Sequence, residues 1–524
     1  MSIEITRQLV QETNEQVFHY FKEISKIPRG SHNEKAIADW IVDFALKRNL
    51  EIRRTEASET GQSVYNLVIC KPATPGYESV APVILQAHID MVCQKTKESQ
   101  HNFLTDPIEI VSDGKYMTAK GTTLGADDGI GVACILAILD SHVLAHPPIE
   151  ALFTSDEEDG MSGAMAVTDK LVTAKRLINI DTEHASTLYY GCAGGIDANF
   201  TLPATYEPIA ENAAQIKITL SGLLGGHSGV EIHRKHANAH KLMARTLRAV
   251  QEAYPFSLIA FEGGDKRNVI TREACALISV EPRNADSVRA LIKSQEAIFQ
   301  HEYEGTENAI NLTAEAVAES HTQVLSQQSL NKFIAAILII PNDIQAMHCN
   351  EPSLVETSCN LGIVSLKPDG IRLCSLIRSF FRTKKLYVLE QMRQLATLLG
   401  AEFTATGDYP DWEPKRESEI IARFVHAYQT AFSAEPTLES IHAGLECGYF
   451  TEKFPWMEMI ACGPTITGAH TPEERLDIES TEKVVELLLQ VLNQMDEAAP
   501  VREMNNFCAE DRAHTHTPVC QCIR

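Results

Sequence analysis

The stretch Leu85-Gln86-Ala87-His88-Ile89-Asp90 carries an apolar run into an imidazole and a carboxylate two residues apart. Val83–Ala87 reads as a buried strand. A strand alternates its side chains, so positions two apart face one way. His88 can then offer a ring nitrogen to a metal ion while Asp90 holds the other side of the ring and fixes its tautomer. The same design, strand then acid, recurs. Phe153-Thr154-Ser155-Asp156-Glu157-Glu158-Asp159-Gly160 follows the apolar run Ile149–Thr154, and Ile178-Asn179-Ile180-Asp181-Thr182-Glu183 continues the run Leu177–Ile180. Leu124-Gly125-Ala126-Asp127-Asp128-Gly129-Ile130-Gly131 opens the apolar helix expected over Gly129–Leu139. Amphipathic helices over Leu9–Ile24 and Lys35–Arg48, and a further strand at Asn66–Cys70, complete an α/β pattern. That pattern predicts a mostly parallel sheet with helices on both faces. Ligands of such sheets gather beyond the carboxyl ends of the strands, where these acids and His88 fall.

Each motif taken singly has an ordinary explanation. Asp127 and Asp128 before a helix could cap its free N–H groups. Four acids in a row, Asp156 to Asp159, could form a solvated loop that relieves their mutual repulsion. The loop Gly463-Pro464-Thr465-Ile466-Thr467-Gly468-Ala469-His470-Thr471-Pro472-Glu473-Glu474 presents one histidine near the end of the chain. Taken together, two imidazoles and several carboxylates are the ligand mix of zinc, manganese or cobalt pairs. One glutamate is left over as a general base. Gly226-His227-Ser228-Gly229-Val230 lacks the last glycine of a nucleophile elbow, which disfavours a serine hydrolase. Cys447 reads as a buried structural thiol.

The 46 Lys and Arg against 70 Asp and Glu leave a formal charge of −24, which disfavours nucleic acid and anionic membranes as partners. The opening residues mix charge with apolar positions and contain no secretory apolar core. No apolar run approaches the roughly 20 residues of a membrane span. Thirteen dispersed cysteines suit reduced thiols, and a cytoplasmic location is expected.

A chain of 524 residues exceeds one core. The acidic strand-end motifs stop near Gly195, and a helix at Glu419–Phe432 and a strand at Trp456–Cys462 restart the first style. The expected division is a catalytic part at 1–195, an inserted α+β lid at 196–406, a second catalytic part at 407–497 and a disordered polar tail at 498–524. Within the insert, strands are expected at Gln215–Ser221, Cys275–Glu281 and Ile371–Arg378. Helices are expected at Ala237–Tyr254, Asp286–Glu302, Leu330–Ile340 and Lys385–Leu399, and a last helix outside the insert at Thr481–Glu497.

The segments QAHIDMVCQK, LGADDGIG, SDEEDGMSGA, GGHSGVEIH, RNVITREA, ETSCNLG, IHAGLECG and GPTITGAHTPEERL come in one order. In that order the chain resembles the co-catalytic two-zinc metallopeptidases that include aminoacylase, carboxypeptidase G and peptidase T. Within them it is most similar to the aminoacyl-histidine (Xaa-His, carnosinase-like) dipeptidase branch, over about residues 5–495. The resemblance implies two divalent ions, zinc with manganese or cobalt as substitutes. Asp127 would bridge them, with His88 and Asp181 on one and Glu158 and His470 on the other. It implies hydrolysis of short peptides, chiefly dipeptides, by water activated between the ions, with Glu157 as general base and Asp90 orienting His88. His227 would stabilise the oxyanion, within one chain or across a homodimer formed through the lid. Arg378, Asn268 and Asn360 would hold the substrate's carboxylate or backbone. The wider family often has Asp-x-Lys-Gly where this chain has Asp127-Asp128-Gly129, a pattern that leans toward the dipeptidase branch. Asp128 is then expected to be a turn residue and His184 incidental. A tripeptidase, aminoacylase or deacetylase on the same scaffold is the alternative activity, and a non-catalytic peptide-binding protein the alternative class.

Overall fold

The computed structural model describes residues 5–55, 63–317, 321–367, 369–415 and 417–496. The tail expected at 498–524, with its His and Cys residues, lies outside them. The first sheet has eight strands. Their order is Glu51–Arg54, Leu67–Lys71, Ile149–Thr154, Val83–His88, Arg176–Asn179, Glu458–Ala461, Thr187–Cys192 and Thr437–Ile441. The centre, from Ile149–Thr154 to Glu458–Ala461, is parallel. The two strands on its first flank run antiparallel.

Val83–His88 and Ile149–Thr154 are buried at every position. Their alternation explains how. Val83, Leu85, Ala87, Ala151 and Phe153 point into one core, while Ile84 and Leu152 point into another. The first core is closed by the helices Arg7–Ile24, Ala126–Asp140, Glu419–Phe432 and Ile478–Asn493. The second is closed by the short helices Ser162–Ala166 and Cys447–Lys453 with Trp412. Helices therefore cover both faces, as a strand without a polar side requires.

The chain leaves this sheet at Cys192, builds a second one, and returns at Trp412. The two crossing segments bond to each other, each donating its N–H to the other's carbonyl at 3.0 Å. The second sheet is antiparallel and has nine strands. Asn311–Val317, Ala214–Ser221, Ala274–Val280, Phe256–Gly263, Val355–Lys367, Gly370–Ser379, Gly194–Leu202 and Glu402–Tyr409 follow in order, with Asp343–Met347 added on Val355–Lys367. Ile216, Ile218 and Leu220 alternate with less buried neighbours, so one face meets its own core and the other is more open to solvent. Ala239–Ala253, Ala285–Glu302, Gln327–Ile339 and Arg382–Leu399 supply the covering helices.

Several elements shift from their expected ends, and caps account for two of the shifts. The helix expected from Ala237 starts at Ala239, because the Asn238 side chain accepts from the N–H groups of His240 and Lys241. The helix expected from Thr481 starts at Ile478, capped by Asp477. Among the described residues no helix is long and apolar enough to cross a membrane, and the ten described cysteines are free thiols.

Candidate metal centre

The parallel centre of the first sheet brings the acidic turns to one edge. His88 ends its strand and is fully buried; Asp181 lies just past Asn179, whose register partner on the His88 strand is Gln86. Asp127 opens the helix Ala126–Asp140, Glu157 and Glu158 follow Ile149–Thr154, and His470 arrives on the loop before Arg475–Asp477. His88 Nε2 is 3.2 Å from Asp127 Oδ1 and 3.5 Å from Asp181 Oδ1. His470 Nε2 is 3.0 Å from Asp127 Oδ2 and 3.1 Å from Glu158 Oε2. Asp127 therefore turns one oxygen to each of two ligand groups, His88–Asp127–Asp181 and Asp127–Glu158–His470. Glu158 Oε1 is buried without a partner. Burial, followed by the charge of Asp127, raises the proton affinity of Glu158. Burial likewise pushes Asp181 up to about 6, against the downward pull of His88. A crowded, buried set of oxygens with two imidazoles is relieved by divalent cations, and these residues fit a pair of them.

Glu157 belongs to neither of these two groups, though it forms a third cluster of ligand-type atoms with His88 and Glu158; its Oε2 is 4.0 Å from His88 Nε2. Burial, resisted by His88 and reinforced by Glu158 and Asp181, holds its carboxyl well above the ordinary range. Asp90 is fully buried, with Oδ1 3.3 Å from His88 Nδ1. Its two oxygens also accept from the backbone N–H groups of Glu157 and Glu158 and from Ser31 Oγ. One carboxylate thus positions both the His88 ring and the turn that carries Glu157. Asp128 is buried and accepts from Gly131 N–H and His88 N–H. His184 is exposed.

Three supports were not read from the sequence. Glu474 is buried, and its oxygens accept from the N–H groups of Leu124, Gly125, Ala126 and Asp127. Arg29 lies buried and donates to the carbonyls of Ile89, Asp90 and Gly125. Glu34 accepts from the N–H of Asp156, fixing the start of the Glu157 turn. A signal existed only for Glu474, whose acid follows His470 in the same loop. Asp156 and His470 both take positive φ values, 58° and 63°, a strained conformation that clusters at functional sites.

The second sheet adds a basic corner. His227 Nδ1 accepts from the N–H groups of Gly229 and Val230. Burial, then the charges of Arg378 and His470, lowers its pKa to about 4. Arg378 is buried; its Nη1 donates to the Tyr409 hydroxyl at 2.7 Å, its Nη2 is 3.4 Å from His227 Nε2, and its Nε has no partner. His442 Nε2 and Ser358 Oγ, 2.8 Å apart, tie the two sheets together beside it. Asn360 is buried, and its amide donates to the carbonyls of Arg267 and Val269; Asn268, between them, is exposed. Asn360 thus braces the loop that carries Asn268.

The sequence profile of peptidase family M20/M25/M40 matches residues 84–494. The cytosol non-specific dipeptidase of Escherichia coli (strain K12) is 38% identical over 488 residues, 93% of this chain and 99% of that one. The crystal structure of an aminoacylhistidine dipeptidase from Vibrio alginolyticus matches with a TM-score of 0.80 and 38% identity, covering 91% of this chain and 96% of that one. A tripeptidase from Staphylococcus aureus, 15% identical, shares the fold with a TM-score of 0.53 over 93% of this chain and 99% of its own.

Proposed function

Because the chain belongs to peptidase family M20/M25/M40, we propose that it hydrolyses dipeptides, of the Xaa-His type and more broadly, at a two-metal centre. The observation that carries this reading is the shared carboxylate of Asp127 between two ligand groups, with Glu157 beside them and outside both. His88, Asp127 and Asp181 hold one ion, and Asp127, Glu158 and His470 the other; zinc suits this ligand mix, and manganese or cobalt can replace it. A pair of divalent ions bound there supplies a Lewis acid for the scissile carbonyl and lowers the pKa of the attacking water. Glu157 takes a proton from that water and passes it to the leaving amine, a task suited to a carboxyl whose proton affinity is raised by burial.

His227 receives two backbone N–H groups on Nδ1, so its proton sits on Nε2, from which it donates to the oxygen that becomes negative. Arg378 takes the substrate's terminal carboxylate. A buried guanidinium without an anion is costly, and among the described residues no carboxylate forms an ion pair with it. Residues 196–406 act as the lid and as the surface of a homodimer, while 1–195 and 407–497 form the catalytic platform. Exposed Leu338, Ile339, Tyr387 and Leu398 on the lid helices support the dimer. A cytoplasmic location agrees with the name of the Escherichia coli relative.

Glu157→Gln tests the mechanism. Metal content should stay at two ions per chain while kcat on an Xaa-His dipeptide falls by roughly 10²–10⁴. Near-normal turnover with both ions bound would refute the assignment.

A further inference from the structure

Arg378 is held from one side only. A guanidinium offers its paired donors along the Nε–Nη2 edge, and in Arg378 that edge has no acceptor: Nε is without a partner, and Nη2 faces only His227 Nε2, which carries the ring's proton, at 3.4 Å. The opposite corner, Nη1, donates to the hydroxyl of Tyr409 at 2.7 Å. Gly229 keeps the open edge clear, since a Cβ there would lie 3.2 Å from Nε.

Tyr409 is the last residue of the strand Glu402–Tyr409, where the chain turns back toward the first sheet. Its ring lies in a slot with a glycine on each side. A Cβ on Gly195 would come 2.3 Å from the phenol oxygen, and one on Gly444 would come 2.9 Å from Cε2. Gly195 is its register partner on the outgoing strand, and Gly444 belongs to the loop of His442. Its backbone is fixed as well. The fully buried Lys385 ammonium donates to the Tyr409 carbonyl at 2.6 Å and to Asp408 at 2.6 Å, and reaches the Gly195 carbonyl at 3.4 Å. Both crossing segments therefore converge on one ring whose hydroxyl touches one functional side chain.

We propose that Tyr409 is a positioning residue for carboxylate recognition: its hydroxyl fixes Nη1 of Arg378 and turns the Nε–Nη2 edge toward the terminal carboxylate of the dipeptide. This rests on the reading that Arg378 takes that carboxylate. The chemical consequence is selectivity. A substrate ending in a free carboxylate gains from the oriented edge, and the same dipeptide ending in an amide does not.

The test compares an Xaa-His dipeptide with its C-terminal amide, using the metal-loaded full chain and the variants Tyr409→Phe, Arg378→Ala and the double variant. Phenylalanine fills the slot and lacks only the hydroxyl. Tyr409→Phe should raise KM for the acid roughly tenfold, with kcat within about twofold and the amide unaffected. Arg378→Ala should abolish the preference for the acid, and the double variant should be no worse than Arg378→Ala alone, the non-additivity expected of residues acting through one contact. Tyr409→Phe overturns the inference if acid and amide lose rate together, as a merely structural residue would make them, if only kcat falls, or if its loss adds fully to that of Arg378→Ala. An acid preference that survives Arg378→Ala refutes the reading of Arg378 itself, and the inference falls with it.

Discussion

Replacing Glu474 by Gln removes one of two oxygens on which four consecutive backbone N–H groups depend. Oε2 accepts from Leu124 and Gly125 at 2.7 and 2.9 Å, and Oε1 from Ala126 and Asp127 at 2.7 and 3.3 Å. Gly125, at φ +69°, permits the backbone curvature that points them at one carboxylate. A glutamine amide can satisfy one pair; its NH₂ faces the other pair, donor against donor. Two buried N–H groups are then orphaned, at about 1–3 kcal/mol each. Because the Asp127 contact is long, the cost should lie in the lower half of that range, about 2–4 kcal/mol in all. Urea unfolding of the metal-free protein reads this directly. Trp40, Trp412 and Trp456 all lie outside the second sheet, so their fluorescence reports the part that holds Glu474. Metal titration supplies a second readout. Asp127 sits at the end of the released segment and faces both ligand groups, so affinity at both sites should fall together. A variant within about 0.5 kcal/mol of wild type that still loads two ions would refute the reasoning.

Stripping the metal with a chelator should lower the melting midpoint, because Asp127, Glu157, Glu158 and Asp181 lose the cations that relieve their crowding. An ion at a thousand times its Kd contributes about 4 kcal/mol, re-addition should restore the midpoint, and an unchanged melt would count against a metal centre. His240 makes a separate prediction in the second sheet's core. Burial holds its pKa down to about 3, against an ordinary 6.5, so the unfolded chain binds a proton that the folded one refuses between those values. Its contribution to stability is present above pH 6.5 and is lost as pH falls toward 3. Between pH 7 and pH 5 the wild type should lose about 2 kcal/mol more than His240→Gln. Denaturant titrations followed by circular dichroism at the two pH values check this, and equal losses would sink it.

Elements whose signal is local were legible in the sequence. The strand Ile149–Thr154 and the helix Glu419–Phe432 have the expected ends, because apolar periodicity alone defines them. Glu402–Tyr409 carries no such signal, because it is largely exposed and lies at a sheet edge, without alternation. Strand-end position and family resemblance point to seven residues as ligands, base and ring orienter, and the structure gathers these, His88, Asp90, Asp127, Glu157, Glu158, Asp181 and His470, at one edge. His227 lies in the loop that follows the second sheet's strand Ala214–Ser221, beside Arg378. The supports could not be read so easily. Glu474 acts on residues 347 to 350 positions away, and Arg29 on carbonyls 60 to 96 away. Nothing local distinguishes such an acid or guanidinium from a solvated one. Asn360 shows the converse: its segment was recognised, while its amide proved committed to a neighbouring loop.

The strand Glu458–Ala461 lies between Arg176–Asn179 and Thr187–Cys192, in the interior of the first sheet. During synthesis its two neighbours emerge long before it does, and the whole second sheet is made in between. The platform must wait with a gap in its middle and two unpaired strand edges facing each other. Such edges invite pairing with other chains. A nascent or truncated chain that stops short of Glu458 therefore lacks more than His470: it has an open seam, which makes the final stretch of the chain the keystone of the fold as well as of the chemistry.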